Sequence, residues 1–221
     1  MTLVLTHAGQ LAGHEQAVRA GVHWLRSRSN PLRRFTLRNR IGLIGHSQGS
    51  NASMLSQDEP GVRALAALDS LKRFARGDRA AAIGCRRPDR RVTPIVPALG
   101  FAMDRPCASR PALIVPDLKK TGHALWKSAG RPTMTLVMRD FEHSSFTSRG
   151  TEEQLHSVGH FLLAWFDRYL RREWSATARI LAPRVAGRST RRLLSTTFRS
   201  AVYLPTRIDC EDYANCLPAR R

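Results

Sequence analysis

The segment Ile41-Gly42-Leu43-Ile44-Gly45-His46-Ser47-Gln48-Gly49 restricts this chain more than any other. Its first five residues are a short apolar run between a basic loop and glycine, which predicts a strand buried in a parallel sheet. A helix is expected to follow through Asn51 to Ser56. Strand must therefore give way to helix within a few residues. At so sharp a turn flanking side chains would clash, which accounts for glycine on either side of His46-Ser47-Gln48. Ser47 is then lifted towards the helix N-terminus, where free N–H groups favour negative charge. The five-residue pattern alone recurs by chance, so the flanking strand and helix carry the inference.

Elsewhere the chain alternates between the two periods. Gly13 to Arg26 carries Val18, Val22 and Leu25 at helical spacing and ends before Ser29-Asn30-Pro31. Val62 to Leu68 is a second apolar run, closed by Asp69. A third runs from about Ile95 to Phe101 and reaches Asp104, with Pro94 and Pro97 making its early part irregular. A helix near Leu118 to Ala129 stops at Gly130 and Pro132, and Met134 to Met138 is a fourth strand leading to the turn that holds His143. From Thr151 to Leu170, Leu155, Val158, Leu162, Trp165 and Tyr169 form the stripe of a long helix. Strands alternating with helices predict an α/β fold, a mostly parallel sheet with helices on both faces. Residues 1–172 are read as the core. Residues 173–221 are read as a basic C-terminal extension with a short strand at Ala201 to Leu204.

Gly45 to Gly49, in this setting, resembles the nucleophile elbow of the α/β-hydrolase superfamily, in its dienelactone-hydrolase-like and serine-esterase branch. The resemblance spans about Gly13 to Leu170 and implies a triad in the chain order serine, acid, histidine. Leu99 to Asp104 resembles the family's strand-end acid segment, and Phe141 to Phe146 its histidine turn. The expected triad is thus Ser47, Asp104 and His143. Asp69, which ends the strand directly after the elbow, is the alternative acid. Asp140 and Glu142 read as solvated loop charges, and His46 as a packing or pocket residue. Ser47 attacks, His143 takes its proton, and the acid holds the imidazole in the required tautomer. The backbone N–H of Gln48 supplies one oxyanion donor.

The second oxyanion donor normally comes from a loop after an earlier strand, and no such loop is legible. His7-Ala8-Gly9 precedes Ser47 by only enough chain for the one assigned helix. The resemblance therefore suggests a partial α/β-hydrolase fold lacking its first strands, with an exposed sheet edge through which the chain self-associates. The expected function is hydrolysis of a small-molecule carboxylic ester through an acyl-enzyme, with no cofactor and no metal. A peptidase or thioesterase would use the same residues, and a catalytically impaired remnant acting as a binding or structural domain is the reading from another class.

Composition narrows the remainder. Thirty-six Lys and Arg against 17 Asp and Glu give a formal charge of +19, yet the basic residues fall as scattered pairs with no zinc-finger spacing or aromatic interleaving, which argues against specific nucleic-acid binding. His156 and His160 stand at i, i+4 without a third ligand, so they read as surface or packing residues. Cys85, Cys107, Cys210 and Cys216 lack paired metal spacing. A Cys210–Cys216 bridge suits an oxidising compartment and reduced thiols suit a cytosolic one. No run is long and apolar enough for a transmembrane segment, and the N-terminus lacks a signal-peptide layout, although a secreted or cell-envelope location is expected for a longer form.

Overall fold

The computed structural model describes residues 11–69, 71, 74–75, 90–104, 116–182, 184–185 and 187–199. The strands are β1 (Ile41–His46), β2 (Val62–Leu68), β3 (Phe74–Ala75), β4 (Arg90–Arg91), β5 (Ala98–Met103), β6 (Thr133–Met138), β7 (Arg184–Val185), β8 (Arg188–Ser189) and β9 (Leu194–Arg199). Five of them form one sheet in the order β1-β2-β5-β6-β9. The first four are parallel, and β9 closes the far side antiparallel to β6. The helices are α1 (Leu11–Arg26), α2 (Gln48–Leu55), α3 (Pro116–Ser128), α4 (Glu152–Phe166), α5 (Ala176–Ile180) and α6 (Thr190–Leu193).

Period-two alternation splits the core into two layers. Ala64, Ala66, Leu68, Leu99, Phe101, Met134 and Leu136 pack with Val158, Phe161 and Trp165 of α4. Leu65, Ala67 and Ala98 pack with Val22 of α1, Ala52 and Met54 of α2 and Trp126 of α3. Helices therefore cover both faces, as α/β patterning requires. Among the described residues no helix is long and apolar enough to cross a membrane.

Three boundaries differ from expectation. The α2 helix begins at Gln48, directly after Ser47. The third strand begins only at Ala98, because Pro94 and Pro97 have no N–H to give a ladder. The irregular stretch before it is satisfied instead by the Gln57 side chain, whose Oε1 accepts from the Ile95 amide at 2.8 Å and the Val96 amide at 3.3 Å. The long helix, capped by Thr151 and Gln154, gives way after Phe166 to a π turn at Asp167–Arg171.

The described residues beyond 172 pack on the core. Ile180, Val185 and Leu194 are buried in the α4 layer, and β9 is a strand of the main sheet. Its Leu-Ser-Thr-Thr-Phe-Arg sequence is too polar to announce a buried strand, and pairing with β6 is what recruits it. The expected strand at 201–204, the Cys210–Cys216 bridge, Cys85, Cys107 and His7 to Gly9 lie outside the described residues.

One ionic cluster fastens α1 to the turn after α2. Arg19 donates to Glu59 at 2.5 Å, to the Leu55 carbonyl at 2.6 Å and to Glu15 at 3.2 Å, and pairs with Asp58 at 2.9 Å. Partial burial works against the guanidinium charge, but the hydrogen bonds to Glu59, Asp58 and Glu15 outweigh it and raise the Arg19 pKa above its ordinary value.

Candidate active site

Ser47 stands between β1 and α2 with φ 56° and ψ −113°, backbone angles that residues with a side chain rarely adopt. The surroundings hold this conformation in place. The Ser47 amide donates to the Leu68 carbonyl at 3.2 Å, continuing the β1–β2 pairing through the turn. The Ser50 hydroxyl lies 2.6 Å from the Gly45 carbonyl and 2.7 Å from that of Leu68, so its one proton is shared between the two strand ends. A Cβ on Gly45 would overlap the Gly49 carbonyl group and approach the Ser50 amide within 2.6 Å, so glycine is obligatory there. Gly49 is different: a Cβ there meets nothing within 4 Å, and the expectation that both glycines answer to a clash holds for Gly45 alone. Gln48 is exposed and opens α2, where an amide has no acceptor inside its own helix.

His143 opens a 3₁₀ turn, His143–Phe146, after β6. Glu142 shapes this turn: its carboxylate accepts from the Ser144 hydroxyl at 2.6 Å, while its amide donates to Ser145 Oγ at 3.1 Å. It is a capping residue rather than an idle loop charge. His143 Nδ1 lies 2.8 Å from Asp69 Oδ2. The carboxylate is well covered, its side chain 16% exposed, whereas the imidazole is 42% exposed. A carboxylate only accepts, so Nδ1 carries the proton and Nε2 is left as the basic ring nitrogen. Among the described residues no hydrogen bond joins Ser47 Oγ to that nitrogen; such contacts are often loose in the absence of substrate.

Of the two candidate acids, the one that meets His143 is the alternative, Asp69. Asp104 does not meet His143: its carboxylate takes a short hydrogen bond from the Ser195 hydroxyl on β9. Asp69 ends β2, the immediate neighbour of the elbow strand, in the left-handed conformation at φ 71°, which aspartate tolerates better than most residues. The histidine turn reaches back across the sheet to that strand end, and Asp104, one strand further out, faces β9 instead.

His46, immediately before the serine, joins the two halves of the site. Its Nε2 lies 2.9 Å from the His143 carbonyl oxygen, and the two rings are 4.5 Å apart at a tilt of 39°. A cavity of about 1070 Å³ runs along the outer edge of β1 and reaches Gly45, His46 and Gly49, but Ser47, Asp69 and His143 do not line it. His160 is engaged elsewhere, its Nε2 2.9 Å from the Arg179 carbonyl.

A strained serine, a half-buried carboxylate and an imidazole oriented by it are thus gathered at the C-terminal ends of parallel strands, where open α/β sheets place their chemistry. Comparison of the sequence with models of protein families and with curated proteins finds no match. The site has to be read on its geometry. Ser50 and Glu142, which brace the elbow and the histidine turn, had no signal in the sequence, because a short polar side chain acquires such a role only from the carbonyls and hydroxyls placed around it.

Proposed function

We propose that the chain is a serine hydrolase that cleaves a small-molecule carboxylic ester through an acyl-enzyme. The observation that carries this reading is the His143–Asp69 hydrogen bond beside a serine held at positive φ on a strand-to-helix turn. Ser47 Oγ attacks the ester carbonyl while His143 Nε2 takes its proton, and Asp69 steadies the imidazolium that results. The Gln48 amide, at the start of α2, faces the developing oxyanion. His143 returns the proton to the leaving alcohol and then draws one from water, which releases the acid and restores the serine. The strand–turn–helix setting and the chain order serine, histidine last, accord with the resemblance to α/β-hydrolases. No step calls for a cofactor.

The test is labelling by a fluorophosphonate probe together with hydrolysis of a short-chain aryl ester. Both are expected in the wild-type chain and neither in Ser47→Ala, with the fold retained. Labelling at another serine, or equal turnover by the variant, would sink the assignment; an inert wild type would favour the binding or structural remnant.

We also propose that two copies pair along β1. Among the described residues this strand is bonded on one side only, and Ile44 on it is 45% exposed. A free edge presents unpaired N–H and C=O groups, and a second copy offers the same edge in a two-fold arrangement. The high positive charge opposes approach, so association should strengthen as salt is added. Sedimentation should show a concentration-dependent dimer that Ile44→Lys dissociates; a monomer at every salt concentration would refute the pairing.

A further inference from the structure

We infer that His46 is a positioning residue that sets the distance between the histidine turn and the nucleophile. This inference rests on the proposed hydrolase reading and extends it to a group outside the triad. The His46 Nε2 atom lies 2.9 Å from the His143 carbonyl oxygen. A carbonyl only accepts, so Nε2 carries the proton and the bond fixes the His46 tautomer. The bond joins residues 97 positions apart, one in the strand end that leads into Ser47 and one in the turn that bears the base. The His46 ring also lies 4.5 Å from that of His143 and 6.2 Å from that of Phe146, two rings of the same turn.

The sheet does not do this work. The histidine turn follows β6, and β2 and β5 separate β6 from the elbow strand, so strand pairing alone leaves the reach of the turn unspecified. Two hydrogen bonds close the gap. Asp69 holds the ring by its Nδ1, and His46 holds the backbone of the same residue. A ring fixed at Nδ1 alone can still pivot about that bond, carrying Nε2 away from Ser47. A second anchor on the main chain removes that freedom, and misplacement by about 1 Å is enough to lower a rate on the order of 10²-fold.

The experiment compares His46→Gln, whose terminal amide can donate from near the Nε2 position, with His46→Phe, which keeps the bulk and loses the donor. His46→Asn, whose amide stops short of that position, serves if the Phe variant does not fold. Two readouts are taken: the rate of fluorophosphonate labelling at Ser47, and the low-field proton resonance of the His143 Nδ1–H bonded to Asp69. The Phe and Asn variants are expected to label about 10- to 100-fold more slowly, with the resonance broadened by exchange with water, while Gln recovers most of both. Equal labelling and an unchanged resonance in Phe and wild type would overturn the inference, as would a Gln variant no better than Phe. If the wild type does not label at all, the hydrolase reading fails, and the resonance still decides whether His46 anchors His143.

Discussion

Ser47 at φ 56° and Asp69 at φ 71° end adjacent parallel strands, and the pairing of those strands brings their backbones together. Nothing comparable links Asp104 to the elbow, since its carboxylate is engaged by Ser195. Asp69→Asn is therefore expected to lower ester hydrolysis by up to about 10⁴-fold, the scale seen when the acid of a serine protease triad is neutralised and the histidine takes the wrong tautomer. Asp104→Asn should act mainly on stability. Steady-state rates of the two variants decide the matter, and the opposite ranking would return the acid to Asp104. Ser50 belongs to the same scale. Its removal takes away the one proton shared by the Gly45 and Leu68 carbonyls, of which Leu68 keeps the Ser47 amide, so Ser50→Ala is expected to cost about 1–2 kcal/mol and to slow labelling, which urea unfolding and probe kinetics would measure.

At the scale of elements, the turn from β1 into α2 is governed by one glycine. Gly45→Ala drives a methyl into the Gly49 carbonyl and Ser50 amide, atoms of backbone that cannot swing aside. It should lower the melting temperature and abolish labelling together. Gly49→Ala meets open space inside the first turn of a helix, where alanine is preferred to glycine by about 1 kcal/mol. Its melting temperature should stay level or rise by about 2–4 °C for a chain of this length. A Gly49→Ala variant as damaged as Gly45→Ala would show that something else crowds the second glycine. The β5 boundary teaches the same point: the prolines that blur it in the sequence are accommodated by Gln57, a side chain from another element.

For the whole molecule the principal attachment of α1 outside the apolar layer is Arg19, which meets three carboxylates from two segments. Glu59 is buried, so removing Arg19 leaves its charge short of its main cation, with His23 Nε2 still 3.2 Å from Oε2. For fully buried pairs that costs about 3–5 kcal/mol; Arg19 is partly exposed, and Arg19→Ala is expected nearer about 2 kcal/mol. Adding Glu59→Gln should recover part of the loss, since that charge is then gone. Denaturant unfolding of the single and double variants gives the coupling, and strictly additive losses would mean that Arg19 contributes packing alone.

Much of this arrangement is legible in the sequence. The apolar runs Val62–Leu68 and Met134–Met138, the helical stripe before Trp165, and glycine ahead of Ser47 are local, because burial and backbone sterics act on neighbours along the chain. They determine an α/β core with a serine at a strand-to-helix turn. Which of two strand-end carboxylates faces His143 is not local. It depends on how far the histidine turn reaches back across β5, on the Ser195 hydroxyl that occupies Asp104, and on a His46–His143 bond between distant segments. The same holds for β9, whose polar residues form a strand because β6 offers an unpaired edge. Local sterics and periodicity therefore determined the elements and the position of the strand-end serine, while hydrogen bonds between segments far apart in the chain, formed only once the sheet is assembled, decided which side chains gather near it.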